Sequence, residues 1–162
     1  MAVDMFLKID DIKGESLDKV HKGEIDVLAW SWGLSNTGSA QGGGAGGGGG
    51  GRVNVQDLSL TKYIDRSSPD LNLHCCNGIH YKSALLTVRK TGVTPVEYLL
   101  YKLEEVLITS LSVGGSGGED RLTENITLNF AKVTWTYVPV DPNGKPQKPI
   151  VGGWDVAQNL PA

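Results

Sequence analysis

The stretch EIDVLAWSWG, residues 24–33, has the pattern of a β-strand with one buried face and one outer face. Its bulky members are Ile25, Trp30 and Trp32, and the small residues beside the tryptophans are Ala29, Ser31 and Gly33. Because the side chains of a strand alternate between its two faces, both tryptophans lie on one side and the small residues on the other. We predict that the tryptophans enter a hydrophobic core and that the small side chains line an outer face.

Most other segments of the chain also have strand character, with alternating faces or many β-branched and aromatic residues. The alternation in VNVQDLSLTKYI breaks near Asp57, which predicts a bulge or a bend there. The dipeptide Asn143-Gly144 is typical of a tight turn. The strand segments are MFLKI (5–9), VNVQDLSLTKYI (53–64), HYKSALLTVRK (80–90), TLNFAKVTWTYVP (127–139) and VGGWDVAQNL (151–160).

One helix start is well marked, in SSPDLNLHCCNG, residues 67–78. Ser67 or Ser68 can serve as the N-cap, and Pro69 suits the first helical position. Gly78 follows where a glycine commonly ends a helix. These signals predict a helix of two to three turns.

The stretch VEYLLYKLEEVLITSLSV, residues 96–113, is ambiguous. Its apolar residues favour a helical stripe, although ITSLSV at its end has strand character. Pattern alone therefore predicts a helix over the first part of this stretch. The residues of the stripe are Val96, Leu99, Leu100, Leu103, Val106 and Leu107.

The chain has 162 residues, of which 40 % are hydrophobic and 20 % charged, a composition typical of one soluble globular domain. Many short strands, one marked helix and two glycine-rich loops predict a mostly β, single-domain barrel or sandwich. We take residues 1–162 as that domain, with a flexible loop over about 36–52.

Composition and charge exclude several classes of function. The net charge is −3 and no cluster of Lys and Arg is present, so a nucleic acid partner is not expected. No stretch approaches the 20 or so apolar residues of a membrane span, and the N-terminus carries acids among its apolar residues, so a signal peptide is not expected. The two cysteines are neighbours in sequence, which indicates synthesis in a reducing compartment.

The glycine runs are predicted to be loops. GGGAGGGGGG, residues 42–51, contains the GxGxxG spacing, but a strand follows it and no helix that could receive a phosphate. The residues before it are too few for a separate domain, so it is predicted to join two strands of one domain. GGSGGEDRLTEN, residues 114–125, has acids where an anion would bind, which favours a turn between strands.

His74, Cys75, Cys76 and His80 are of metal-ligating types and lie close together in sequence. Adjacent cysteines do not match the spacing of a structural zinc site, so we predict one core-facing cysteine and ordinary surface histidines. No nucleophile motif of the GxSxG type is present. We therefore expect no metal, no cofactor and no catalytic residues.

Four blocks of the sequence together resemble the Hcp family, the haemolysin-coregulated, tube-forming proteins of bacterial type VI secretion. They occur in order along the chain, and the resemblance extends to near residue 162. The blocks are MAVDMFLKIDDIKGES (1–16), EIDVLAWSWG (24–33), VNVQDLSLTKYID (53–65) and VGGSGGEDRLTENITLNFAKV (113–133).

The resemblance implies a β-barrel of two antiparallel sheets with one short helix on its side and a long glycine-rich loop. It also implies strands, not a helix, over 96–107. Six copies would close into a ring, and rings would stack into a tube inside a contractile sheath and under a spike protein. The tube would be cytoplasmic before firing, then secreted without a signal peptide and without membrane insertion, carrying small effector proteins in its lumen.

The resemblance places two sites on this chain. Ala29, Ser31 and Gly33 would face the lumen and contact effectors. The glycine-rich loop that joins the strand segments EIDVLAWSWG and VNVQDLSLTKYID would project towards the neighbouring ring. Its residues are Gln41, Gly42, Gly43, Gly44, Ala45, Gly46, Gly47, Gly48, Gly49, Gly50, Gly51 and Arg52.

Two alternatives stay open at the level of sequence. One is an effector chaperone that forms a single ring and never stacks. The other is a barrel-fold enzyme that uses His74, His80 and nearby acids, which would be a monomer with measurable turnover.

Overall fold

The computed structural model describes residues 2–38 and 51–162. Within these ranges the chain forms ten strands and one helix. In chain order they are β1 (Val3–Ile9), β2 (Ile25–Ser31), β3 (Leu34–Asn36), β4 (Val53–Val55), β5 (Leu58–Tyr63), α1 (Ser68–Asn77), β6 (His80–Lys90), β7 (Val96–Gly114), β8 (Thr123–Tyr137), β9 (Ile150–Asp155) and β10 (Leu160–Pro161).

Six strands close into a barrel in the order β8, β5, β2, β1, β6 and β7, and β7 pairs with β8 to complete the circle. Every pairing is antiparallel. β9 and β10 extend the sheet beyond β8, while β3 and β4 form a separate two-stranded hairpin. The predicted mostly β barrel with one short helix is confirmed.

The long strands β7 and β8 belong to both sides of the barrel. The first half of β8 pairs with β5, and its second half pairs with β9. β7 accompanies β8 along almost its whole length, from the pair Gly114 and Thr123 to the pair Leu99 and Tyr137. The β7–β8 hairpin therefore joins the two sheets implied by the family resemblance into one eight-stranded sheet, six strands of which close the barrel.

In each of three neighbouring strands, the face that points into the barrel changes to the opposite one, and this happens at the same level of the barrel. In an uninterrupted strand, buried residues are two positions apart, but here they are three apart. The backbone of Glu105 has a left-handed conformation at this level, with φ of 54°. The buried residues on either side are Tyr81 and Ala84 in β6, Leu103 and Val106 in β7, and Phe130 and Val133 in β8.

This exchange of faces explains why the helical pattern in residues 96–107 is misleading. A spacing of three between Leu103 and Val106 is typical of a helix, but here it results from a strand that changes its inner face at Glu105. The helix predicted from pattern alone is wrong, and the strand implied by the family resemblance is confirmed.

A β-bulge interrupts β2. The register to β5 shifts between Val27 and Ala29, so Leu28 is the extra residue. Before the bulge Ile25 and Val27 point into the core, and after it Trp30 does. The bend predicted near Asp57 is also present, as the break between β4 and β5.

Helix α1 begins and ends where the sequence predicts. Ser67 is the N-cap, although its hydroxyl bonds to Asp65 and caps no helical N–H group. Gly78 ends the helix in the left-handed conformation, with φ of 68°, and its N–H donates to the carbonyl of His74. Leu71 is fully buried and fixes the helix to the barrel.

A charged network fixes the segment between β1 and β2 to the outer surface of β1 and β6. Arg89 donates to Asp18 at 2.5 Å and to Asp4 at 2.9 Å, and its guanidinium lies over the ring of Phe6. The imidazole of His21 stacks on the same ring, at 4.4 Å between centroids. These contacts hold residues 10–24 against the side of the barrel formed by β1 and β6.

Candidate functional site

The predicted small-residue face of β2 is exposed on the outside of the barrel. Ala29 and Ser31 both point outward, while Trp30 and Trp32 pack against the hydrophobic core. Gly33 lies beyond the end of β2, where its carbonyl accepts a hydrogen bond from the N–H of Gln56 at 3.0 Å. The structure thus brings Ala29 and Ser31 together and places Gly33 at the base of the β3–β4 hairpin.

Four adjacent strands, β2, β5, β8 and β7, continue this face as a surface that we call the polar wall. Its residues are small or medium-sized and uncharged, and they form two rows across the strands. The first row is Ser31, Ser59, Thr127 and Ser110, and the second row is Ala29, Thr61, Asn125 and Ser112.

The sequence pointed to only part of the polar wall. The alternation in residues 53–64 places Ser59 and Thr61 on one strand face, which was the available signal. The residues that β7 and β8 add to the wall are placed there by strand register, and no local sequence pattern indicates this register. These contributions were missed.

Four of the eight side chains of the polar wall bond to one another in pairs. Thr61 donates to Asn125 at 2.6 Å. The hydroxyl of Thr127 lies 2.7 Å from that of Thr109 and 2.6 Å from that of Ser110. Asp57, a carboxylate at the edge of the wall, accepts from Thr109 at 2.6 Å and from Asn129 at 2.9 Å. The part of the wall formed by β5, β7 and β8 is therefore hydrogen-bonded within itself.

A shallow hollow of about 320 Å³ lies in the polar wall. Ser31 and Ser59 are directly opposite each other in it, and neither hydroxyl has a hydrogen-bond partner within residues 2–38 and 51–162. They are free to bind another molecule. The lining consists of Ala29, Trp30, Ser31, Ser59, Leu60, Thr61, Asn125 and Thr127.

The predicted stacking loop lies mostly outside the described residues, which include only Gly51 and Arg52 of it. The loop starts and ends at the β3–β4 hairpin, where the side chain of Asn36 donates to the carbonyl of Gly51 at 2.8 Å. A Cβ atom at Gly51 would collide with Thr37 and Gly38, so the close approach of the two arms requires glycine here. Arg52 is exposed.

A second cleft, of about 430 Å³, separates the β3–β4 hairpin from β8 and β9. Its lining is mainly apolar and includes Val53, Val55, Trp135 and Trp154. Within the described ranges, the indole N–H groups of both tryptophans are buried without a hydrogen-bond partner. Leu34 also lines this cleft and is 49 % exposed, so the edge of the cleft is open to contact.

The histidines and cysteines near α1 have different surroundings. Cys75 is half-buried against the core and Cys76 is exposed, as predicted. His74 is not an ordinary surface histidine, because its Nδ1 bonds to the hydroxyl of Tyr81. Burial, with a smaller effect of Asp70, raises the pKa of Tyr81 to about 12. No group of three His, Cys, Asp or Glu side chains in the described part of the chain could hold a metal ion.

Across residues 2–38 and 51–162, α1 is the single helix, and it is too short and too polar to span a bilayer.

Comparisons with known proteins agree on one family. The profile of the family described as "Type VI secretion system effector, Hcp" matches residues 6–137. The chain is 60 % identical to "Protein hcp1" of Pseudomonas aeruginosa over the full length of both chains.

Solved structures give the same result. One described as the "Structure of a type six secretion system protein" superposes with a TM-score of 0.93 at 32 % identity, covering 99 % of this chain and all of the other. Hcp1 from Salmonella typhimurium superposes with a TM-score of 0.80 at 36 % identity, covering both chains completely. A closed barrel with an outer polar wall, a family profile over most of the chain and a full-length relative lead to one conclusion: the chain belongs to the Hcp family of type VI secretion proteins.

Proposed function

We propose that this chain is the structural subunit of a type VI secretion tube. Six copies close into a ring, rings stack into a tube, and the tube is expelled into a target cell. Membership of the Hcp family supports this proposal. The observation on this chain that carries it is the polar wall, a continuous four-strand surface on the outside of an already closed barrel.

In this proposal the polar wall faces the lumen. A barrel that is closed on itself does not need a second large ordered face for its own stability. Small, mutually bonded side chains make a smooth surface with few groups that would hold a passing protein tightly. Such a surface suits a channel that carries effectors and then releases them.

Effectors would contact the wall at its hollow, through Ser31 and Ser59. Within the described ranges, the hydroxyls of Ser31 and Ser59 have no hydrogen-bond partner. The other two hydroxyls of the hollow, those of Thr61 and Thr127, already have partners. Ala29 lies beside them and leaves room because its side chain is small. Gly33 lies at the hairpin base and would shape the rim rather than bind cargo.

Ring closure would bury the apolar surface near the second cleft. A head-to-tail contact between identical subunits closes into a ring when its rotation divides a full turn. We expect an interface of about 2,000 Å² or more per pair. Exposed apolar residues available to it are Leu34, Tyr137, Ile150, Val151 and Leu160.

The test of the proposal is the size and shape of the purified protein. Light scattering should give the mass of six chains, and negative-stain microscopy should show rings that stack at high concentration. Rings that never stack would favour a single-ring chaperone. A monomer that turns over a substrate would favour an enzyme, and in that case the proposal would be abandoned.

Cysteine labelling can test which face lines the lumen. In Ser31→Cys tubes, position 31 should react with a small maleimide but not with a polyethylene glycol maleimide. Cys76, exposed on α1, provides an internal control that should react with both. Equal reaction of both positions with the large reagent would place the polar wall on the outside.

The tube would lie inside a contractile sheath and under a spike protein, and would leave the cell by the type VI route. On this proposal the protein needs neither cofactor nor metal, binds no nucleic acid and does not insert into membranes.

A further inference from the structure

We propose that stacked rings are held in register by an ionic contact between Arg52 of one copy and the acidic turn, Glu119 and Asp120, of the copy in the next ring. This inference rests on the stacking of rings in the proposed function and names the residues that carry it. It identifies two complementary surfaces at opposite ends of the subunit.

The two surfaces lie at opposite ends of the polar wall. β5 runs from Leu58, which follows the β3–β4 hairpin, to Tyr63, which pairs with Thr123 at the start of β8. The turn between β7 and β8 lies just beyond that pair, since Gly114 is also opposite Thr123. A head-to-tail stack would therefore bring the hairpin end of one subunit to the turn end of the next.

Arg52 is the one charged residue in a long neutral segment. Between residues 27 and 56 the sequence has no other Lys, Arg, Asp or Glu. Arg52 is exposed at the loop end of the hairpin, next to Val53, and no ion pair joins it to another residue of the described chain. The carboxylate of Asp57 also lies at this end of the wall, but it accepts hydrogen bonds from Thr109 and Asn129, whereas the guanidinium of Arg52 remains available to a partner.

The opposite end has a net negative charge. Glu119 and Asp120 are exposed in the turn, and neither side chain has a hydrogen bond or ion pair within residues 2–38 and 51–162. Arg121 could neutralise them, but its guanidinium lies over the ring of Tyr63, 3.8 Å from the centroid. The cation is thus held against β5, and the two carboxylates remain available to a partner.

Each contact is weak, but a ring of six subunits makes six such contacts with the next ring. An exposed ion pair changes an association constant by about two- to fivefold and is screened by salt. Six such contacts acting together at twofold each give about a sixtyfold effect. A weak contact of this kind would fix the rotation of one ring on the next and still permit disassembly.

The experiment is charge reversal on the full chain, with tube length measured by negative-stain microscopy and sedimentation over a range of protein concentrations. Arg52→Glu should form hexamers of normal mass but require at least tenfold more protein to stack. The pair Glu119→Arg and Asp120→Arg should have the same effect. Combining all three changes restores opposite charges at the contact and should restore stacking.

The matched control is Lys19→Glu, which changes the net charge by the same amount as Arg52→Glu. Lys19 lies in the segment over β1 and β6, away from both ends of the wall. Its variant should stack as the unaltered chain does. Raising the salt concentration from about 0.1 M to 1 M should shorten tubes of the unaltered chain, because the screening length falls from about 10 Å to 3 Å.

The outcomes separate this inference from the proposed function. Normal stacking of Arg52→Glu, or hexamers of the triple variant that still fail to stack, would overturn the ionic contact and leave the tube intact. If the unaltered chain forms hexamers that never stack, the tube itself and this inference fall together.

Discussion

Lys62 and Glu124 form an ion pair that is sealed inside the barrel. They are direct neighbours on β5 and β8, and their side chains are 1 % and 0 % exposed. Lys62 also lies 3.0 Å from Asp65, and the hydroxyl of Ser68 donates to Glu124 at 2.7 Å. The pair therefore connects the barrel wall to the start of α1.

Removing one member of this pair should strongly destabilise the protein. Lys62→Met leaves the Glu124 carboxylate buried without its cation, at a cost of about 3–5 kcal/mol in the free energy of unfolding. Replacing both residues, as Lys62→Met with Glu124→Leu, should cost less than either single change. Denaturant unfolding of the three variants measures these values.

The exposed pair Lys132 and Glu104, 3.6 Å apart, is the control for burial. Its removal should cost less than about 1 kcal/mol. If the two pairs proved equally important, burial would not be the reason for the large effect.

Acid should loosen the segment that covers β1 and β6. The hydrogen bonds from Arg89 hold the pKa of Asp18 well below its usual range, against an opposing effect of burial. Because the folded pKa is lowered, the ion pair contributes stability above the unfolded pKa of about 4, and this contribution is lost as the pH falls further. The melting temperature should therefore fall more steeply below pH 4 in the unaltered protein than in Asp18→Asn. Parallel curves for the two proteins would contradict this.

Glu105→Gly should stabilise the protein. The left-handed backbone at Glu105 costs a residue with a Cβ atom about 1–2 kcal/mol, and glycine avoids this cost. Part of the gain is lost to the greater freedom of glycine in the unfolded chain, so about 0.5–1 kcal/mol should remain. Denaturant unfolding compares this variant with Glu105→Ala, which keeps the Cβ atom and should show no such gain. A loss of stability in the glycine variant would show that the strand requires a side chain here.

Filling the hollow should reduce the retention of effectors. Ser31→Gln and Ser59→Gln each place a longer side chain in a space of about 320 Å³ and remove a free hydroxyl. Hexamers should persist, because the residues lie outside the barrel core, while less effector should copurify with the rings. Leu73→Gln, at an exposed position of α1, is the control. Unaltered retention for every effector tested would exclude the hollow as the binding point.

The strands and their faces could be read from the sequence wherever alternation is regular. In residues 53–64 the pattern placed Lys62 on the same face as Leu58 and Leu60, and all three are buried. The helix was equally clear, since Pro69 and Gly78 mark its ends by their backbone preferences.

The rest depends on interactions between distant residues. No local signal indicates that Thr127 lies between Ser59 and Ser110, because strand register joins segments that are far apart in sequence. The left-handed Glu105 looks like one residue of a helix unless its neighbours in space are known. The partner of Lys62, 62 positions away, is hidden for the same reason.

The bulge at Leu28 has a consequence for how this sequence can change over time. The side chain itself is 39 % exposed and its chemistry is free to vary. The position itself can also be lost, because without Leu28 the residues Val27 and Ala29 would follow each other in regular register with Lys62 and Thr61, leaving Trp30 inward and Ser31 outward and removing only the bulge. Related sequences should therefore tolerate almost any residue at this position, and some of them should lack the position altogether while keeping the same inner and outer faces of the strand.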